Sequence, residues 1–166
     1  MATPTYDLLD SVTLSSSASS VTFSSISQGY RDLVIVASAA LTAGTGNLTM
    51  RLNSDSGSNY SGVSMEGTGS AAQSGSGSTW NQFYVNINNG SLWSTKGIDV
   101  IQIMDYSTTN KHKSILARGN GLGTGNSVGA NAGRWANTSA VTTVQLLAGG
   151  ATLAAGSTFY LYGIAG

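Results

Sequence analysis

Few residues of this chain carry side chains suited to acid–base or nucleophilic chemistry. The 166 residues include one histidine, seven carboxylates and no cysteine. A Ser-His-Asp triad would have to use His112, which stands between Lys111 and Lys113 at a predicted strand start, where a solvated side chain is expected. The lack of cysteine excludes a disulfide framework and a thiolate metal site. The composition predicts a chain that is not an enzyme and that holds no cofactor.

The carboxylates are scattered along the sequence. Glycoside hydrolysis needs two carboxyl groups that converge across a cleft. Asp99 and Asp105 have the same parity on one predicted strand, but a strand rises about 3.3 Å per residue, which would separate them by about 20 Å. That spacing does not suit a catalytic pair, and a glycan-cleaving enzyme is the weakest of the functional hypotheses.

One segment has the composition of a calcium-binding loop. Side chains that carry oxygen alternate along Asn53–Asn59, and Glu66 follows Asp55 by eleven residues. The EF-hand pattern requires glycine at its sixth position, where this chain has Tyr60, and an oxygen ligand at its third, where it has Gly57. Asx turns at the end of a strand explain the same residues. No metal site is predicted.

The charge pattern argues against nucleic acid and membrane partners. The net charge is zero, and only Lys111–Lys113 approaches a basic cluster, whereas binding to phosphates needs many clustered Lys and Arg. The longest apolar runs, such as Leu33–Val36 and Leu146–Ala148, fall far short of the roughly 20 residues that cross a bilayer. The first seven residues lack the basic and apolar regions of a signal peptide, which predicts synthesis and folding in a cytoplasm.

Apolar residues recur with a period of two along most of the chain, and no window shows a helical stripe. The pattern predicts roughly nine strands with a turn signal about every 10 to 15 residues, which is typical of a sandwich or jelly roll. We therefore expect an all-β fold, a single-domain antiparallel β-sandwich of jelly-roll type over residues 1–166. The predicted core includes Leu33–Val36, Phe83–Ile87, Ile101–Met104 and Phe159–Leu161.

Three polar segments are predicted to connect these strands. Ser107–Asn110 is expected to link a hairpin. Glu66–Ser78 and Gly119–Gly133 are rich in glycine and poor in apolar residues, and both are predicted to be long surface loops. The second loop is expected to reach a partner.

The composition also predicts self-association. A net charge near zero offers no colloidal repulsion, and a low charge content leaves strand edges poorly guarded. Without disulfides, burial between subunits is the expected source of durability. Aromatic and loop residues are the predicted contacts, namely Tyr60, Trp93, Asn120, Leu122, Asn126 and Trp135.

Two segments, Met50–Ser61 and Ala155–Ile164, resemble parts of small structural proteins of tailed bacteriophages. In those proteins a Gly-Ser turn leads into a final strand of aromatic and aliphatic residues. The resemblance implies a jelly-roll virion protein, often a homotrimer, made in the host cytoplasm. It implies a capsid decoration or tail-fibre role and carries over no catalytic residues.

The rest of the sequence favours the capsid decoration role over the tail-fibre role. The chain has no coiled-coil heptads and no collagen-like triplets, which a fibre tip would more often carry in a shaft. The leading hypothesis is a decoration (cement) protein that bridges subunits of the major capsid protein. The alternative is a tail-fibre or receptor-binding module that recognises host surface glycan.

Overall fold

A computed structural model describes residues 5–85, 94–121 and 127–166. In these ranges the chain forms twelve strands, and no helix is long and apolar enough to span a bilayer. The strands are β1 (Tyr6–Thr13), β2 (Ser20–Phe23), β3 (Asp32–Ala39), β4 (Thr49–Leu52), β5 (Tyr60–Gly67), β6 (Ala72–Trp80), β7 (Phe83–Tyr84), β8 (Gly97–Met104), β9 (Lys113–Gly121), β10 (Ser127–Trp135), β11 (Val144–Leu147) and β12 (Thr158–Ile164).

The strands form two antiparallel sheets. The larger sheet has eight strands in the order β1-β12-β3-β8-β9-β10-β5-β6, and the smaller has four in the order β2-β11-β4-β7. Some neighbours come from distant parts of the sequence, as in β12 beside β3, whereas β8, β9 and β10 follow one another along the chain. The all-β, sandwich-like fold expected from the sequence is confirmed.

One apolar core fills the space between the sheets. Strand residues alternate in direction, so every second side chain of the large sheet faces the small sheet. Ile35, Ile101 and Phe159 point inward from the large sheet and meet Phe23 and Leu146 from the small one. All four segments predicted to be core contribute buried residues, while Ile87 lies outside the described residues.

The two segments predicted to be long loops are mostly strand. Glu66–Ser78 contains the end of β5 and most of β6, and Gly119–Gly133 contains the end of β9 and most of β10. Residues 122–126 of the second segment lie outside the description. Two glycines of these strands make room for neighbouring side chains. A Cβ on Gly77 of β6 would overlap Trp80, and one on Gly133 of β10 would overlap Phe83. Composition alone therefore misassigned these strands as loops.

The predicted hairpin is confirmed. The segment Ser107–Asn110 lies between β8 and β9, and these strands pair in antiparallel register from Met104 opposite Ser114 to Asp99 opposite Gly119. Asp105 closes the end of β8 with a left-handed backbone (φ of 49°).

Candidate association surface

The strongly exposed large apolar side chains of the described residues all lie on one surface. This surface is the side of the eight-stranded sheet that faces away from the core, and we call it the outer face. The exposed fractions range from 38% to 67%, for Tyr6, Leu8, Val63, Met65, Ile98, Leu116 and Val128. Contiguous exposed apolar surface of this kind marks an interaction site.

Cross-strand register arranges the outer face in rows. One row contains Leu8, Tyr162, Val34, Gln102, Leu116, Ala132 and Val63, from β1 across to β5. The next row contains Tyr160, Val36, Val100, Arg118, Ala130 and Met65. Most positions in both rows are apolar, and they extend across seven strands. Their exposure is uneven, because Val34 is buried and Tyr162, Val36 and Val100 are half-buried.

Three tyrosines form an aromatic corner of the outer face on β1 and β12. The Tyr6 and Tyr162 rings meet edge to face with centroids 6.4 Å apart, and the Tyr160 and Tyr162 rings stack at 6.5 Å. Such ring contacts hold the side chains in fixed orientations.

Charge on the outer face is sparse and separated. Arg118 and Arg134 project from β9 and β10, and both are exposed. The carboxylate of Asp32 lies at the end of β3, where it accepts hydrogen bonds from Gln102 and from the Asp105 backbone and lies 3.3 Å from Arg31. The exposed charges of the face are therefore Arg118 and Arg134, because Asp32 is 4% exposed and is paired with Arg31.

Shallow concavities interrupt the outer face. One of about 560 Å³ lies over β5, β6 and β10, where Val63 and Ala132 meet Arg134 and several serines. Another of about 540 Å³ is bordered by Met65, Val128 and Arg118. Both are open, apolar depressions that suit a protruding side chain better than an enclosed small molecule.

The outer face was not predicted from the sequence. The sequence nevertheless indicates it in strands whose odd-numbered and even-numbered positions are both apolar, such as Leu33–Val36 and Phe159–Tyr162. A strand with only one covered face alternates apolar and polar residues. Apolar residues on both sides of β3 and β12 thus indicate a second surface to be covered.

Of the predicted partner contacts, Tyr60 and Trp135 lie in the core, and Asn120 lies on the outer face opposite Val128. Tyr60 and Trp135 are each 1% exposed, which places them in the core of the subunit instead of on the predicted contact surface. Asn120 is half-buried, and its side-chain oxygen accepts a hydrogen bond from the Ile98 backbone. Trp93, Leu122 and Asn126 lie outside the described residues.

Tyr60 and Trp135 instead adjoin a partly buried polar cluster around Asp55. The Asp55 carboxylate accepts hydrogen bonds from Trp135 Nε1 (2.7 Å), Asn59 Nδ2 (2.8 Å) and the Gly57 backbone (2.8 Å). Burial raises the pKa of Asp55, but these three bonds outweigh it and hold the pKa below its ordinary value. The oxygens once considered as calcium ligands are therefore used in a turn that anchors the core.

The basic cluster Lys111–Lys113 divides into two environments. His112 and Lys111 are exposed, and Lys111 forms an ion pair with Asp105 at 3.0 Å. Lys113 was expected to be solvated, yet it is fully buried, and its Nζ donates to the carbonyls of Thr108, Lys111 and Thr138 at 2.6 to 3.1 Å. Burial lowers the pKa of Lys113. Its role is to tie the β8–β9 turn to the segment after β10.

Asp99 is a buried carboxyl group on the core side of β8. The residue is fully buried, and neither carboxylate oxygen has a hydrogen-bond partner in the part of the chain that the structure describes. Its side chain lies over Gly119 of the neighbouring strand. Burial raises the pKa of Asp99 to about 7. The predicted shared face with Asp105 is absent, because β8 ends at Met104 and Asp105 turns away to bind Lys111.

The acidic residues do not gather into a metal-binding group. Glu66 lies in the same inward row as Asp99, but β9 and β10 separate their strands, so their Cα atoms lie about 14 Å apart. Across residues 5–85, 94–121 and 127–166, no cluster of three or more His, Cys, Asp or Glu residues is suited to a metal ion.

Comparisons with known proteins add only structural neighbours. No family model and no curated protein matches the chain. The galectin LEC-6 of Caenorhabditis elegans matches 97% of this chain and 98% of its own at 8% identity, with a TM-score of 0.40. An exo-inulinase of Aspergillus awamori matches 95% of this chain but 29% of its own at 12% identity, with a TM-score of 0.44. Both TM-scores are below 0.5, and neither likeness extends to function.

Proposed function

We propose that this chain is a non-enzymatic structural protein of a bacteriophage particle, acting as a capsid decoration (cement) protein that bridges subunits of the major capsid protein. The observation that carries the proposal is the outer face, an apolar surface across seven strands of the larger sheet. An isolated subunit would leave this surface in water at a free-energy cost of roughly 25 cal/mol per Å² of apolar area. A protein that works in an assembly covers it.

The two segments that resemble phage proteins support this proposal at the level of the fold. Met50–Ser61 forms β4, the turn that places Asp55 under Trp135, and the start of β5. Ala155–Ile164 contains β12, which lies between β1 and β3 and contributes the tyrosines of the outer face. The matching residues thus build the sandwich and its associating surface.

The polar residues also support a role without catalysis. The Asp55 carboxylate accepts three hydrogen bonds, and Lys113 donates to three carbonyls. His112 is exposed and directly precedes Lys113, the first residue of β9. These side chains stabilise the fold, which leaves binding as the activity that the described surface can perform.

Localisation in purified particles tests the proposal. Antibodies against this chain, labelled with gold, should decorate the heads of the phage whose genome encodes it, and deletion of its gene should abolish the label. Particles without the chain should lose DNA at a lower temperature than intact ones. Absence of the chain from particles that are otherwise complete would contradict a virion role.

The aromatic corner favours one alternative, a tail-fibre module that binds host surface glycan. Tyrosine rings such as Tyr6 and Tyr162 offer faces on which sugar rings stack. This hypothesis predicts gold label on the tail and binding to purified host polysaccharide that is lost in Tyr6→Ala. Label on the head without polysaccharide binding would exclude it.

A further inference from the structure

One side of β6 is left unpaired at the end of the eight-stranded sheet. Strand β6 pairs with β5 alone among the described residues, and all of its own residues are exposed or half-buried. The unpaired side, which we call the β6 edge, therefore presents backbone N–H and C=O groups to solvent. Such an edge can bind another strand by continuing the antiparallel hydrogen bonding of the sheet.

The β6 edge lacks the features that usually keep sheet edges apart. Natural edge strands are short, charged, interrupted by proline or distorted by a bulge. Residues 68–80 include no charged residue and no proline. The register of β6 with β5 is regular from Ala72 to Gly77, and its shift lies beyond Gly77. Ala72–Gly77 is thus a regular edge to which a strand can be added.

The other sheet edges of the described chain are protected. The opposite edge strand, β1, carries Asp7 and Asp10, and a register shift between Leu8 and Asp10 interrupts it. The edge strands of the smaller sheet, β2 and β7, have four and two residues. The β6 edge is therefore the one long and unguarded edge in the part of the chain that the structure describes.

We infer that two copies of this chain pair through their β6 edges, with the two strands antiparallel about a two-fold axis that passes normal to the sheet at Gly75. Such an interface is isologous, so each strand offers the other the same surface. The net charge of zero gives no general repulsion between the copies.

The residues around Gly75 suit pairing of the strand with itself. Ser74 and Ser76 lie on the outer face, since they pair with the exposed Met65 and Val63 of β5. Gly75 lies between them and points to the core side of the sheet. A two-fold axis normal to the sheet keeps the outer face of both copies on the same side, so serines meet serines and glycine meets glycine.

The symmetric register opposes small and neutral side chains only, apart from one glutamine. Ser74 of one copy faces Ser76 of the other, Gly75 faces Gly75, and Gln73 faces Gly77. No like charges are opposed, and hydroxyl groups on adjacent strands can hydrogen-bond to each other. The near-symmetry of the sequence about Gly75 selects a second copy of the chain as the strand that this edge binds.

Pairing at the β6 edge extends the outer face and leaves it uncovered. The outer faces of the two copies point in the same direction and join along the paired β6 strands. Val63 and Met65 of β5, 56% and 67% exposed, lie one strand away from this junction. The pairing itself does not depend on the proposed function, whereas the use of the doubled face to bridge two capsid subunits rests on it.

Sedimentation of lysine variants tests the edge. The mass of the wild-type chain should rise with concentration, through the micromolar range, toward twice the 16.9 kDa of one copy. Ser74→Lys combined with Ser76→Lys places lysines directly opposite each other and should raise the dimer dissociation constant by about tenfold or more. Circular dichroism confirms that each variant is folded.

Ser11→Lys combined with Thr13→Lys is the matched control, because both residues are exposed on the outer face of β1 at the opposite edge. This variant should dimerise like the wild-type chain. A wild-type chain that stays monomeric or forms trimers, or equal weakening by the two lysine pairs, would overturn the inference.

Disulfide formation tests the register, because the chain has no natural cysteine. Opposed residues of antiparallel strands have Cα atoms about 4.5 to 5.5 Å apart, within disulfide reach. Ser74→Cys combined with Ser76→Cys should therefore give a covalent dimer under mild oxidation. Ser74→Cys alone should not, since its two copies lie about 8 Å apart across the axis. No covalent dimer from the double variant, or one from Ser74→Cys alone, would overturn pairing at Gly75.

The proposed function fails or stands separately from this pairing. A chain that is found on phage heads but is monomeric in solution overturns the β6 pairing and leaves the decoration role. A chain that pairs through β6 but is absent from complete particles retains the pairing and loses the decoration role.

Discussion

At the scale of single residues, Asp99 should make the stability of the protein depend on pH. The pKa of its buried carboxyl is raised to about 7, whereas the ordinary value is 3.8. The folded state therefore binds the proton more tightly than the unfolded state does. The free energy of unfolding should fall as the pH rises from about 4 to about 7, by an amount on the order of 4 kcal/mol.

Asp99→Asn tests this expectation, since asparagine keeps the shape and carries no charge. Urea unfolding at pH 5 and pH 8 should show that the variant loses most of the pH dependence and is more stable than wild type at pH 8. Asp10→Asn, at an exposed position of β1, is the control and should change little at either pH. An unaltered pH dependence in the Asp99 variant would show that the buried carboxyl has another partner.

Lys113 should contribute to stability through its carbonyl contacts. Lys113→Ala removes three hydrogen bonds from a fully buried ammonium group and leaves their acceptors inside the protein. We expect a loss of about 3 kcal/mol in the free energy of unfolding. Lys111→Ala should cost well under 1 kcal/mol, because its ion pair with Asp105 is exposed. Equal losses measured by chemical denaturation would refute the assignment.

At the scale of the strands, the sequence predicted the class of fold but not all of its members. The apolar segments Leu33–Val36 and Ile101–Met104, predicted to be core, lie in β3 and β8. Segments rich in glycine and serine, such as β6 and β10, looked like loops. Their glycines are required by neighbouring side chains: Trp80 of the same strand covers Gly77, and Phe83 of β7 covers Gly133. The second contact joins residues far apart in sequence, which no local pattern relates.

Gly133 offers a test of this interpretation of β10. A Cβ at this position would overlap the ring of Phe83 and lie 2.7 Å from the Ser61 carbonyl oxygen. Gly133→Ala should therefore lower the free energy of unfolding by about 2 to 3 kcal/mol.

Gly67→Ala on β5 is the matched control. No atom lies within 4 Å of its added Cβ, so a change within about 0.5 kcal/mol is expected. If thermal or urea unfolding shows the Gly133 variant to be as stable as the Gly67 variant, Gly133 has no packing role.

The association surface was predictable only in part. The low charge and the lack of disulfides predicted self-association. The exposed face tests neither the predicted capsid partner nor the predicted homotrimer. The predicted contacts Tyr60 and Trp135 are core residues, because aromatic type alone does not distinguish a buried ring from an exposed one. Register decides which side of a strand faces the core, and register depends on pairing between distant segments.

At the scale of the whole molecule, the outer face gives a compact sandwich one broad apolar side. Its core is complete between the two sheets, so the remaining apolar surface is available to a partner.

Oxidation of methionine tests most directly the claim that the outer face is the association surface, whichever partner covers it. Met65 on the outer face is 67% exposed in the subunit, and Met50 in the core is 0% exposed. Mild peroxide treatment followed by mass spectrometry should show Met65 oxidising several-fold more slowly in the assembled protein than in dilute subunits, with Met50 slow in both. Equal rates for Met65 in assembled and dilute protein would contradict the assignment of the outer face as the association surface.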